Sequence, residues 1–587
     1  MLSSRVNLRG FKEIHVIKLL SATIVLTLST TAWLYADQET GKWGDQGDGT
    51  YRNPIIAADY SDPDPLRVGN DYYMVASTFE MSPGVSILHS KDLVNWESLG
   101  GAIPDVSQLG PNFNWDRMNV YNEGVYAPSL RFHDGKFWVF VNCHSGEGFY
   151  CCTATNPAGP WTVTQVQDKN GKPLRTHGWT DPCPFWDDDG NAYLASSRPN
   201  GQWFGYLFQM TPDGTQLLDA DVNKMNQDVD APYAFPDGGT LFSPFHSTEG
   251  NKLFKRNGYY YLQHIEFLDG GHGRGTYIMR SKNIYGTKED GTPGKPGDPG
   301  KYDVVKFGDD IPGQGGFVDA PDGRWFWIGQ INRMDSDGRK PCLLPATWID
   351  DWPVPGADIQ DKTGKMVWQA KKPIDGQPIH LPQGGDEFNS ATLDPQWQWN
   401  YQPRADGWSL TERPGYIRLH AFKPLEAGKF FKVSDVLAQR YMRSDNVVNT
   451  VKLDLSGMVN GQEAGVAHFN GGRNYATLSV VQADNVRTIQ YEEDGKATKG
   501  DALPFVSSTI WLRSTVGLDE LAHFEYSTDG NIFTPFGSLY KLKQGNYRGD
   551  MIGIYTFNND SDSGYADFDY FHYEVKNSPA SPSANFN

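Results

Sequence analysis

The sequence predicts an all-β protein, a five-bladed β-propeller followed by a β-sandwich, and three observations carry that prediction. Aromatic residues make up 13% of the 587-residue chain and stand beside 63 Gly and 37 Pro, a composition suited to short strands and tight turns. A turn followed by clustered aromatics, the mark of a hairpin entering a buried strand, occurs five times between residues 69 and 327. Beyond residue 385 strand-like runs continue without that period.

The five hairpins are Gly69-Asn-Asp-Tyr-Tyr73, Gly135-Lys-Phe-Trp138, Gly190-Asn-Ala-Tyr193, Gly258-Tyr-Tyr-Tyr261 and Gly323-Arg-Trp-Phe-Trp327. Their glycines are spaced by roughly 55 to 68 residues, the length of a four-stranded blade with its loops. Segments such as His89 to Trp96 and Arg280 to Tyr285 supply further strands within the units. The propeller is expected over residues 50–355, and a Pro/Gly/Lys-rich linker over 356–384. The sandwich is expected over 385–577, with runs such as Gly415 to His420, Val447 to Leu455 and Ile552 to Phe557, and a Ser/Pro/Asn-rich disordered tail over 578–587.

Arg5, Arg9, Lys12 and Lys18 precede an apolar run from Leu19 to about Ala36, the layout of a signal peptide over residues 1–36. The expected location is secreted or periplasmic, with no stable membrane insertion after cleavage. The alternative is an uncleaved anchor, because the run approaches a bilayer-spanning length if Trp33 to Tyr35 are counted. Cys143, Cys151, Cys152, Cys183 and Cys342 show no CxxC spacing and are odd in number, so most are expected to be small buried hydrophobes, with one bridge left open. The 52 Lys+Arg against 71 Asp+Glu give a formal charge of -19, which repels a phosphate backbone and excludes nucleic acid as the expected partner. A neutral polysaccharide or oligosaccharide fits instead.

Two low-complexity stretches are read as loops. Gly291 to Gly300 is too short for a triple helix, and Asp187-Asp-Asp-Gly190 lacks the later ligands of a calcium loop and falls where a hairpin turn is needed.

About seven to nine residues before each hairpin glycine lie Asp62-Pro63, Ala127-Pro128, Asp181-Pro182, Glu249-Gly250 and Gln314-Gly315, one small motif per blade expected at an equivalent place. In a propeller the strand before the hairpin faces the central axis, so Asp62, Asp181 and Glu249 are expected to converge in one axial pocket. Crowded, partly buried carboxyls cannot all ionise cheaply, which raises one pKa and leaves another group charged, as an acid and base pair requires.

The segments Tyr60 to Tyr73, Gly178 to Gly190 and Thr248 to Tyr261 resemble the three catalytic segments of glycoside hydrolase family 43, of the β-xylosidase and α-L-arabinofuranosidase type, and the resemblance spans roughly residues 50 to 575. It implies an inverting exo-acting enzyme with Asp62 as general base, Asp181 tuning and orienting the acid, and Glu249 as general acid. Asp64 is the rival base, but the family's base stands five residues before an arginine, which here is Arg67 and selects Asp62. The resemblance also implies sugar contacts from Phe79, Tyr126, Gln314 and Arg339. Gly313 stands where many members carry a histidine that helps to hold an axial calcium or water cluster; His246 and His272 are the candidates to compensate. No cofactor is implied for catalysis. The second domain resembles the concanavalin-like sandwich of family members, which commonly lends a loop to the pocket, and Glu387 with Asp567 is its candidate structural calcium pair. The alternatives are a non-catalytic carbohydrate-binding protein and an endo-arabinanase on the same scaffold.

Overall fold

A computed structural model of the protein describes residues 43–576, except 146–147, 176–178, 200–202, 227–238, 244–247, 268–273, 309, 332–334 and 504–507. The expected signal peptide and tail lie outside the described residues. No helix among those residues is long and apolar enough to cross a membrane.

Each hairpin glycine joins the first and second strands of an antiparallel four-stranded sheet, and each has positive φ, between 65° and 85°. The first strands of the five sheets are Asp64–Val68, Val125–His133, Thr180–Trp186, Thr248–Arg256 and Gly313–Asp319. Neighbouring first strands touch in turn, and the fifth touches the first, so these strands line the axis of a closed ring. Arg67 closes the ring by gripping Asp319 through Nε and Nη2 at 2.9 and 2.6 Å. This bidentate pair joins the first blade to the fifth. Between blades the packing is aromatic and aliphatic, as where Tyr73, Phe137 and Val139 meet and where Phe254, Phe317 and Trp327 meet.

The inner strands of blades two to five each carry a bulge near the start. In blades two to five the paired residues advance three on the inner strand for two on its neighbour, between Tyr126 and Ser129, Thr180 and Cys183, Glu249 and Lys252, and Gly313 and Gly316. A residue of positive φ stands at one equivalent place in all five blades, inside the bulge in blades two to five and just before the inner strand in blade one: Asp62 (57°), Ala127 (37°), Asp181 (54°), Gly250 (70°) and Gln314 (45°). A left-handed non-glycine residue costs about 1–2 kcal/mol, and bulges re-aim side chains beside active sites. The structure therefore corrects one sequence expectation. Asp62 and Asp181 are equivalent, but Gly250 is their counterpart, and Glu249 stands one residue earlier, level with Tyr126 and Thr180. Counting back from hairpin glycines missed this because the turns differ in length.

The segment after the propeller is not featureless. Ala357–Gln360 pairs with Thr363–Lys365, and Gln369–Lys371 joins Thr50–Arg52 in a small sheet. The Gly291 to Gly300 stretch forms a loop between the third and fourth strands of blade four, and the Asp187 carboxylate binds Lys255 and Tyr260 at the turn, each at 2.5 Å. The second domain is a sandwich of a seven-stranded and an eight-stranded antiparallel sheet. Thr509–Gly517 alternates half-buried and buried residues along its length, the period-two pattern of a strand with one face in the core. Tyr60, Leu88 and Ile328 of the propeller share one apolar cluster with Tyr441, Leu437 and Phe571 of the sandwich. All five cysteines are buried free thiols.

Candidate active site

Asp62 is buried, and its carboxylate is engaged on all sides. Arg339 donates to Oδ1 and Oδ2 at 2.9 and 3.1 Å, Ser77 Oγ to Oδ2 at 2.6 Å, and Gln330 Nε2 to Oδ1 at 3.2 Å. Gln330 also accepts the Asp62 backbone N–H at 2.6 Å, which fixes the left-handed peptide. Ser77 in turn accepts the N–H of Ala127 at 2.8 Å, tying blade one to blade two.

Asp181 is fully buried. It accepts hydrogen bonds from Thr180 Oγ1 and the N–H of Gly250, both at 2.5 Å, and from Gln314 Nε2 at 3.3 Å. Burial pushes its pKa up, and the charge of Asp62 adds to that; Thr180 and the Gly250 N–H pull the other way. Glu249 immediately precedes Gly250, so the peptide that carries it is pinned to Asp181. Gln330 Nε2 reaches Gln314 Oε1 at 3.3 Å, which completes a hydrogen-bonded path from Asp62 through Gln330 and Gln314 to Asp181 and the Glu249–Gly250 peptide.

Arg339 is buried rather than a free loop cation. Burial works to lower its pKa, but the charges of Asp62, Asp59 and Glu249 outweigh it and hold the guanidinium above its ordinary value. All three carboxylates therefore act on one arginine. Phe79, in a left-handed conformation (φ 56°), packs edge-on against Tyr126 with centroids 5.2 Å apart, and Tyr126 donates to the Asn122 carbonyl at 2.7 Å.

Asp64 lies one layer further along the axis. It accepts from the Leu130 N–H at 2.9 Å and Arg131 at 2.8 Å, with Lys252 at 3.6 Å. Lys252 also donates to Ser129 Oγ at 3.1 Å, and its charge opposes the rise of the Asp181 pKa. Two cations, Arg131 and Lys252, already occupy the Asp64 layer. Among the described residues no cluster of three or more His, Cys, Asp or Glu side chains is placed to hold a metal ion. His246 and His272 lie outside the described residues.

The calcium pair in the sandwich is corrected. Both oxygens of Asp567 are taken by Arg418 at 2.7 and 2.9 Å, with Arg413 at 2.9 Å, while Glu387 binds His572 at 2.7 Å. Guanidinium groups fill the place a cation would need.

The sequence reading missed the partners that orient the acids. Gln330 was countable, since it pairs with Gly313 on the strand following the fifth hairpin. Asn546, Tyr547 and Arg548 of the sandwich carried no local signal. Tyr547 O accepts from Arg339 Nε at 3.3 Å, and its ring lies 6.5 Å from that of Tyr126. Arg548 pairs with the buried Glu80 at 2.7 Å and with Tyr121 Oη at 2.6 Å.

A propeller with acidic side chains gathered at its axis, roofed by a strap from an appended sandwich, defines a carbohydrate-processing hydrolase. Comparison with known proteins names the family. Residues 51–353 match the profile of glycosyl hydrolases family 43, and residues 385–574 that of the β-xylosidase C-terminal concanavalin A-like domain. The chain is 33% identical to a β-xylosidase of Formosa agariphila over 92% of this chain and 93% of that one. It is 28% identical to a non-reducing end α-L-arabinofuranosidase of Bacteroides ovatus, over 89% and 94%. A bifunctional GH43-CE structure of Bacteroides eggerthii superposes with a TM-score of 0.72 at 29% identity, covering 89% of this chain and 64% of that one. The protein belongs to glycoside hydrolase family 43.

Proposed function

We propose that the protein is an inverting exo-glycosidase that releases xylose from β-xylosides of xylan-type saccharides, with α-L-arabinofuranosides as its second substrate class. The observation that carries this reading is the hydrogen-bonded path joining Asp62, Asp181 and the Glu249 peptide around one axis. In this reading Glu249 protonates the glycosidic oxygen while Asp62 takes a proton from the water that attacks the opposite face of the sugar. Such a pair stands about 6.5–9.5 Å apart, leaving room for that water. Arg339, Ser77 and Gln330 orient Asp62, and Asp181 orients and tunes Glu249. Phe79 and Tyr126 supply an apolar wall for the first sugar. The strap carrying Tyr547 supports exo rather than endo action, because it bonds to Arg339, which grips Asp62, and sets its ring 6.5 Å from that of Tyr126. The basic and apolar residues of segment 1–36 support export.

Hydrolysis of aryl β-xyloside and aryl α-arabinofuranoside tests the proposal. Turnover of the xyloside is expected, with Glu249→Gln and Asp62→Asn each lowering kcat by about 10³-fold or more, within the range general acid and base groups contribute singly and together. No turnover of either glycoside would return the protein to the carbohydrate-binding alternative.

A further inference from the structure

The strap Asn546 to Asp550 of the sandwich runs alongside propeller residues Ser336 to Arg339, and backbone and side-chain bonds lace the two together. Asp550 donates its N–H to the Ser336 carbonyl at 2.7 Å. The buried Asp59 carboxylate accepts the N–H of Arg339 on Oδ1 at 3.0 Å and the N–H of Gly549 on Oδ2 at 3.1 Å, so one side chain staples both segments. The fit is close: a Cβ at Gly338, whose φ is +69°, would lie 2.5 Å from the Asp59 carboxyl carbon, and one at Gly549 would lie 2.7 Å from the Gly338 nitrogen. Arg339, which grips Asp62, is thus set by the strap through its main chain and through Tyr547.

The strap is fixed from behind by a group that the chemistry does not touch. Asp550 Oδ1 lies 2.6 Å from His468 Nδ1, and His468 Nε2 lies 2.8 Å from Ser514 Oγ, with all three side chains buried inside the sandwich. Ser514 belongs to the eight-stranded sheet and His468 to the seven-stranded sheet, so the relay crosses the sandwich core. Its Ser-His-Asp order invites comparison with a nucleophilic triad. All three members are at most 1% exposed, so no substrate reaches them. A polar chain at this depth is costly, and Asp550 Oδ2 stands without a hydrogen bond, so the side chain is held through Oδ1 by His468 alone.

We propose that His468 is a positioning residue for the hydrolytic site: through the Ser514–His468–Asp550 relay it holds the strap, and with it Arg339 and Tyr547, in register with Asp62. Sandwich and propeller then form one catalytic unit, because the geometry around the base is set by a histidine on the far side of the domain boundary. The activity readout rests on the hydrolase reading above; the exchange readout does not.

The test compares His468→Leu, His468→Gln and Ser514→Ala with the full-length wild type. Hydrogen exchange of the strap amides, Tyr547 to Asp550, is expected to speed up at least tenfold in His468→Leu, with the inner propeller strands unchanged. On aryl β-xyloside kcat/KM is expected to fall about 10- to 100-fold with kcat and KM both affected, since the strap touches Arg339 and sets the Tyr547 ring against that of Tyr126. His468→Gln, which keeps a donor and an acceptor, is expected to recover to within threefold of wild type, and Ser514→Ala to lose about threefold. If His468→Leu does not fold, the exchange and rates of the two milder variants decide. Strap exchange unchanged in every folded variant, or kcat/KM of His468→Leu, or of Ser514→Ala if the former does not fold, within twofold of wild type alongside faster exchange, would overturn the proposal. Faster exchange in a protein whose wild type turns over no glycoside would instead uphold the anchor and sink the hydrolase reading.

Discussion

Replacing Asp181 by Asn removes one negative charge beside the proposed acid and leaves the side chain's shape. The Asp181 carboxylate is 2.5 Å from the Gly250 nitrogen, that nitrogen lies about 2.4 Å from the Glu249 Cα, and a glutamate carboxyl reaches only about 5 Å from its own Cα, which puts the Asp181 and Glu249 carboxyls within about 10 Å. At that distance and an effective dielectric of about 20, the interaction is about 1.7 kcal/mol or more, equivalent to roughly 1.2 pH units or more. The Asp181 charge makes ionisation of Glu249 harder, so its loss lets Glu249 lose its proton at lower pH. The basic limb of the kcat profile should then move down by about 1 to 2 units. The assay is kcat against pH for two aryl β-xylosides, one with a poor leaving group and one with a dinitrophenolate that needs no protonation. Asp181→Asn is expected to lose about 10²-fold on the first and less than tenfold on the second. Equal losses on both, or an unmoved basic limb, would refute the assignment of Asp181 as the residue that tunes the acid.

Three further outcomes are expected. Stability should fall as pH rises from about 4 to 8, because burial pushes Glu463 up to about 7 and Asp550 up to about 6. The folded state holds these protons more tightly than the unfolded chain, so the contribution is complete below the unfolded values and lost as pH passes through the folded ones. Glu463→Gln should remove about 3 kcal/mol of that slope in urea titrations at pH 5 and pH 8. Arg548→Leu strands the buried Glu80 carboxylate and should cost about 3–5 kcal/mol in unfolding free energy, with Glu80→Gln in the same chain recovering part of it. Dialysis against a chelator should leave the melting temperature of the sandwich within a degree or two, since arginines already fill the Asp567 site.

The propeller was legible because its signals are local and repeated. A glycine of positive φ followed by aromatics marks each inner hairpin, and five repeats leave little freedom in assembling them. Asp62 and Asp181 were legible for the same reason. The strand that carries Glu249 was legible, but the level of Glu249 along it was not, because a bulge shifts register by one residue without changing the composition around it. The partners Arg339 and Asp62 lie 277 residues apart in the chain, and Arg548 and Glu80 lie 468 apart. No spacing rule connects residues so distant, so the resemblance suggested Arg339 while the strap stayed invisible. The calcium pair failed for a related reason: two acids looked free until the fold brought Arg413 and Arg418 to one of them.

Proton NMR of the first minutes of hydrolysis tests the central claim, a carboxylate pair spaced to admit one water between acid and base. Release of α-xylose from a β-xyloside, before mutarotation, is the outcome an inverting pair requires. If β-xylose comes first, the substitution passes through a covalent intermediate, and the roles proposed for Asp62 and Glu249 are wrong.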